Sequence, residues 1–221
     1  MSRIRTPRHF IYNEYDIMKE IQEPDKSHFV EEIIMEIRYI ASSDDRTAIS
    51  RIYEESWKHT YKGIVPQDYL DAIPVGLWAK CFDDPGVYTL IFIENGRIVG
   101  TSSFSKSRSA QYPDSGEVIS IYFLPEYIGR GYGSKLMGSV LDELKKRGFK
   151  EAFLWTLEDN DHAKHFYESN GFSCTKDFQD ITIGGKKLRE VRYTYRFEED
   201  PMMQTDDYYE DIHDPCLRFQ R

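Results

Sequence analysis

Three glycines at alternate positions and two cations stand in the stretch Ile128-Gly129-Arg130-Gly131-Tyr132-Gly133-Ser134-Lys135. Ahead of it, residues 118–124 are mostly β-branched and aromatic, and Pro125 closes the run. Behind it, Leu136, Met137, Val140, Leu141 and Leu144 recur at helical spacing, with Gly148 where a helix C-cap belongs. The order strand, glycine-rich turn, helix predicts a helix whose first N–H groups lack partners and whose dipole puts positive charge at that end. Glycine at 129, 131 and 133 lets another molecule approach the backbone, while Arg130 and Lys135 add charge. Such a stretch suits a phosphate. A nucleoside-triphosphate loop is excluded because the Gly-Lys-Ser/Thr ending is missing, and a dinucleotide loop because no further glycine follows at its offset. Taken alone, the glycine spacing fits an ordinary turn equally well.

The flanking chain narrows the reading. Glu117 opens the preceding strand, and Asn160, Ala163, Phe166, Tyr167, Gly171 and Phe172 follow some thirty residues later. Together these residues resemble the GNAT superfamily of acyl-CoA-dependent N-acetyltransferases. Its pyrophosphate motif, Arg/Gln-x-x-Gly-x-Gly/Ala, is matched except that Ile128 takes the first position. Its second motif, Asn-x-x-Ala-x-x-Phe-Tyr-x-x-x-Gly-Phe, is matched throughout, and the resemblance spans roughly residues 35–197. It implies an α/β (mixed α+β) fold, with a mixed, mostly antiparallel sheet of six to seven strands and about four helices. It also implies acetyl-CoA as donor and no metal. The cofactor would be held by the backbones of Ile121, Tyr122 and Phe123, by Ile128, Gly129, Arg130, Gly131, Tyr132, Gly133, Ser134 and Lys135, and by Asn160, Lys164 and Tyr167. Since the family's pyrophosphate contacts are largely main-chain, Ile128 implies weakened cofactor binding rather than none.

Acetyl transfer to an amine sets its own demands. An alkyl amine has a pKa of ~10.4, so about one molecule in a few thousand is a free nucleophile at pH 7. A base must take the proton, directly or through water. A fixed N–H donor aimed at the oxyanion is worth ~2.7–4 kcal/mol, and an acid must protonate the departing thiolate. Glu117, fourteen residues ahead of Gly131, is the candidate base. Simple alternation would put it on the strand face of Ile119 and Ile121, where partial burial would raise its pKa. The competing reading is a solvated glutamate, with water as base. Tyr167 corresponds to the family's general acid, and its phenol, pKa ~10, is protonated at neutral pH; the competing reading is a core aromatic beside Phe166. Trp57, Tyr61 and Tyr69 are candidates for contacting the acceptor, against core packing with rim tyrosines. His162 and His165 stand three apart, but no third ligand at a suitable spacing accompanies them, so no metal site is expected.

Other elements must position these groups. Residues 36–40 alternate as a strand, Ser42-Ser43-Asp44 offers an N-cap, and Ile49, Ile52, Tyr53 and Trp57 share a helix face. Pro66 starts a second short helix. Residues 87–94 and 97–104 flank Asn95-Gly96, a tight primed turn. Strands over 117–124, 151–156, 172–183 and 187–197 and helices to 147 and over 160–170 complete the domain, residues 35–197. Residues 1–34 read as an appended helical or loose arm, with an amphipathic run from Phe10 to Ile21 ended by Pro24. Residues 198–221 form an acidic tail, in which eight Asp or Glu face two Arg, a net −6 of the chain's −9.

That negative balance argues against non-specific nucleic-acid binding and favours a cationic acceptor. No apolar run reaches the ~20 residues that span a bilayer, no signal peptide is recognisable, and three cysteines without metal spacing suit a reducing cytoplasm. The sequence is compatible with a homodimer. It points to an acetyltransferase acting on a small primary amine, with a non-catalytic acyl-CoA sensor or an interaction protein as the alternatives.

Overall fold

A computed structural model describes residues 33–198. The expected helix at 10–21 and the acidic tail beyond Glu198 lie outside the described residues. The elements are β1 (Met35–Tyr39), α1 (Arg46–Thr60), α2 (Gln67–Asp71), β2 (Val87–Glu94), β3 (Arg97–Lys106), β4 (Gly116–Phe123), α3 (Tyr132–Lys146), β5 (Glu151–Leu157), α4 (Asp161–Ser169), β6 (Ser173–Ile183) and β7 (Lys186–Arg196). The seven strands form one sheet in the order β1-β2-β3-β4-β5-β7-β6. Every pairing is antiparallel except β4 with β5. This is the mixed, mostly antiparallel sheet that the resemblance implies. Among the described residues no helix is long and apolar enough to cross a membrane.

Alternation along β2 explains why the sheet is covered on both sides. Leu90 and Phe92 point to one face, where they join Phe104, Val118 and the helical stripe Leu136, Met137, Val140 and Leu144 of α3. Ile91 and Ile93 point to the other, against Ile49 and Tyr53 of α1. The β2–β3 hairpin turns on Asn95 (φ 48°) and Gly96 (φ 79°), as a primed turn requires.

The α1 cap lies one residue later than expected. Asp45, not Asp44, accepts from the Thr47 and Ala48 amides, because Asp44 is taken by Arg38 (2.7 and 2.8 Å) and by the Ala41 amide. The Arg38 guanidinium holds the Asp44 carboxyl down to about 2. Glu143, bonded by Tyr39 and Arg147, is likewise lowered to about 2. A carboxylate with a depressed folded-state pKa stabilises the fold above its ordinary range, and the contribution disappears as pH falls through the depressed value. The melting temperature should therefore drop between about pH 4 and pH 2, and Asp44→Asn should flatten that drop. A slope unchanged in the variant would remove Asp44 from the account.

Two irregularities in β4 shape the middle of the sheet. Ser105 pairs with Glu117 and Phe104 with Val118, but Ser103 pairs with Ser120, so Ile119 is a bulged extra residue. Pairing of β4 with β5 extends only over Gly116–Ala152 and Glu117–Phe153. Beyond those pairs the two strands part.

Candidate active site

The parting of β4 from β5 opens a cavity of about 300 Å³ through the sheet. Ile121, Tyr122 and Phe123 of β4 form its edge. Ser56, Thr60 and Tyr61 line it on the α1 face; Gly131, Gly133 and Ser134 of α3 and His162, His165, Phe166 and Tyr167 of α4 line it on the other. Tyr127, Ile128, Gly129, Asn160, Ala163 and Ser169 complete the wall.

At one mouth stands the start of α3. Gly131 is its N-cap at φ 78°, in the left-handed region, with no side-chain cap and no acidic residue in the first turn. A Cβ at Gly131 would meet nothing within 4 Å, so the space before these N–H groups is open to a ligand. Gly133 is glycine for a different reason: a Cβ there would come within 3.0 Å of the Phe166 ring, which packs α4 against α3. An uncapped helix start facing an open cavity fits the diphosphate of a coenzyme A thioester.

The side chains of this stretch are arranged otherwise than their charges suggest. Tyr132 is buried, stacked on Phe92 (centroids 4.7 Å apart), with its hydroxyl on Glu94. Arg130 pairs with Glu94 (3.6 Å) and lies over Tyr127 (4.7 Å). Lys135 reaches the Met35 sulfur, and Lys164 pairs with Asp161 at 2.7 Å. None of these four side chains lines the cavity.

Asn160 is buried, lines the cavity and caps α4 through the Ala163 amide (3.1 Å). Two turns on, the Tyr167 ring rests against Phe166, Phe172 and Tyr193. Its hydroxyl has no hydrogen-bond partner among the described residues. Burial pushes its pKa well up, with Tyr122 adding to the effect. Opposite it, the Trp57 indole N–H donates to the Tyr122 hydroxyl at 3.1 Å. Trp57 is thus a support behind the wall rather than part of it.

A profile of the acetyltransferase (GNAT) family matches residues 47–172, more than half of the chain. The chain belongs to the GNAT family. It is an acetyl-CoA-dependent acetyltransferase. It is 31% identical over 159 residues to the uncharacterized N-acetyltransferase YuaI of Bacillus subtilis, covering 68% of this chain and 87% of that one. It is 29% identical over 148 residues to the L-amino acid N-acyltransferase MnaT of Escherichia coli, covering 66% and 84%. A solved structure of similar fold is the PaiA N-acetyltransferase of Thermoplasma acidophilum in complex with coenzyme A. Its TM-score is 0.58 at 20% identity, covering 74% of this chain and 99% of that one.

Two further expected site residues of this GNAT chain, Tyr69 and Glu117, are not brought to the cavity either. Tyr69 packs against the β6–β7 turn, its Cβ 2.7 Å from where a Cβ on Gly184 would stand, and remains 40% exposed. Glu117 is buried, but both its oxygens are held by Arg108, by Nη2 at 2.6 Å, Nε at 3.1 Å and the backbone amide at 2.9 Å. The bulge at Ile119 is the reason simple alternation misplaced it. One extra residue puts Glu117 and Ile121 on opposite faces. Glu117→Gln is therefore expected to leave the pH–rate profile unmoved, whereas Arg108→Ala, which removes the two guanidinium bonds to a buried carboxylate and leaves only the backbone one, should cost about 1–3 kcal/mol of stability. A shifted profile in the first variant would restore Glu117 as base.

Sequence reasoning did not single out Ser56, Thr60 and Tyr127, and it weighed His162 and His165 only as metal ligands. Ser56 and Thr60 stand four apart on α1, a spacing that puts two hydroxyls on one face. No group of three or more His, Cys, Asp or Glu among the described residues could hold a metal.

Proposed function

We propose that this GNAT enzyme moves the acetyl group directly to a small primary amine, with the acceptor entering from the α1 face. The observation that carries the reading is a cavity that runs through the sheet, with an uncapped helix N-terminus at one mouth, an unpartnered phenol along it and a hydroxyl-lined pocket at the other. Acetyl-CoA supplies the acyl group as a thioester. The first-turn amides of α3 and Gly131 hold the diphosphate, and the backbone of β4 freed by the splay offers N–H and C=O groups to the pantetheine arm. Tyr167, kept protonated by burial, donates the proton that the leaving sulfur needs. No Asp or Glu lines the cavity, which supports water as the route by which the amine loses its proton. The relative named for L-amino acids supports an acceptor of small size.

Thiol release from acetyl-CoA across a panel of primary amines, with the N-acetyl product verified by mass, tests the proposal. Turnover with at least one small amine is expected. Tight CoA binding by calorimetry with no thiol release from any amine would replace it with the reading of a non-catalytic sensor.

A further inference from the structure

The two residues on either side of Gly131 converge on one carboxylate. Glu94, the last residue of β2, is buried. The Tyr132 hydroxyl donates to its Oε1, and Arg130 Nη1 stands 3.6 Å from the same oxygen. Gly131 therefore sits between two anchored neighbours. The Gly131 N–H belongs to the planar peptide shared with Arg130, and the Tyr132 N–H to the one shared with Tyr132 itself. Each of these two amides at the α3 start thus has one end tied to Glu94.

A loop this rich in glycine needs such a tie. Gly129 and Gly131 both hold positive φ, and no side chain caps the helix start. Glycine has wide backbone freedom, so the direction of these amides must be set from outside the loop. Glu94 suits the task because it pairs with Arg97 across the tight turn at Asn95-Gly96, a fixed corner of the sheet. Tyr132 is the firmer of its two contacts, a buried ring stacked on Phe92 at 4.7 Å. Arg130 is about half exposed, and an ion pair so open to water contributes little. The other limb of the hairpin adds a weaker hold, since Arg97 reaches Glu126 at 3.2 Å and lies 5.6 Å over the Tyr127 ring. Glu94 itself does not line the cavity, so its effect on a ligand passes through the loop.

We infer that Glu94 is a positioning residue for the cofactor: through the Tyr132 hydroxyl it sets the Gly131 and Tyr132 amides in the direction a phosphate requires. This rests on the diphosphate site proposed above at the α3 mouth. Donors already in place lose little freedom when the ligand arrives, whereas a loop that must first be ordered binds more weakly.

The test measures Kd by titrating the whole chain with CoA, 4′-phosphopantetheine and pantetheine, wild type against three variants. Glu94→Leu and Tyr132→Phe both remove the hydroxyl–carboxylate bond. Each should weaken CoA and 4′-phosphopantetheine by about tenfold or more, the worth of one charge-assisted hydrogen bond. Pantetheine carries no phosphate and should bind the variants as it binds wild type. Glu94→Gln keeps an oxygen for the Tyr132 hydroxyl and loses only the exposed ion pair, so its CoA affinity should stay within about threefold of wild type. Tyr132→Phe preserves the ring on Phe92 and decides the question if Glu94→Leu does not fold. A Glu94 that merely supported the fold would move all three ligands together. The inference is overturned by an equal loss for pantetheine, by CoA affinity kept in Tyr132→Phe, or by a Gln variant as weak as the Leu one. A wild type that binds pantetheine as tightly as CoA would instead remove the diphosphate site itself, and the role of Glu94 with it.

Discussion

Tyr167→Phe is expected to lower kcat by about 10²–10⁴-fold, the range for loss of a positioned general acid, with CoA affinity unchanged. The hydroxyl makes no hydrogen bond to another described residue, so its removal strands no partner, and the ring keeps its contacts with Phe166, Phe172 and Tyr193. The variant should therefore fold and melt like the parent. Burial raises the phenol above its usual pKa of ~10. The proton is consequently still present where an exposed tyrosine would begin to lose it, and the wild-type rate should not decline as pH approaches ~10 on account of this group. Single-turnover thiol release separates the chemical step from product release, and calorimetry reads the affinity. An unchanged single-turnover rate would remove Tyr167 as the acid. An equal loss of rate and affinity would make it a positioning residue.

The parts of this fold that were legible in sequence are those written in local backbone chemistry. Asn95-Gly96 demands positive φ at two successive residues, and little but a primed turn uses that. The α3 stripe and the glycines ahead of it specify a helix start whichever way the rest of the chain runs. Asn160 is legible twice, as a cap and as a motif residue. What was hidden is long-range or irregular. Ile119 is β-branched like its neighbours, and nothing in its type marks it as the bulged residue, yet that extra position turns Glu117 away from the face of Ile121. The splay of β4 from β5 is equally silent, because residues 118–124 are apolar on both faces whether paired or not.

Side-chain destinations were harder to read than backbone ones. Tyr69 sits on a short helix at plausible spacing, but its packing is decided by Gly184, more than a hundred residues away. Arg130 and Lys135 were expected beside a phosphate on charge alone, whereas Glu94 takes Arg130 and the Lys135 side chain turns to Met35. The groups left open toward the cavity at the α3 mouth are main-chain ones, and the proposed phosphate site therefore does not depend on an Arg or Gln in place of Ile128.

That division of labour gives the second large expectation: Gly131→Val should weaken CoA binding by on the order of 10²–10³-fold, equivalent to losing one or two charge-assisted hydrogen bonds at about 1.5–3 kcal/mol each. Gly131 holds φ 78° as the N-cap of α3, a conformation that costs an L-residue about 1–2 kcal/mol. In a chain of this size, that is a fall in melting temperature of about 2–8 °C. The valine Cβ would meet no protein atom within 4 Å; the side chain would stand in the space proposed for the diphosphate. Gly133→Ala is the control. Its Cβ would press on Phe166 at 3.0 Å, so it should disturb the α3–α4 contact and stability first, with a smaller effect on affinity. If Gly131→Val lost stability but kept its CoA affinity, the helix N-terminus would not be the phosphate site, and the orientation assigned to the cofactor along the cavity would have to be reversed.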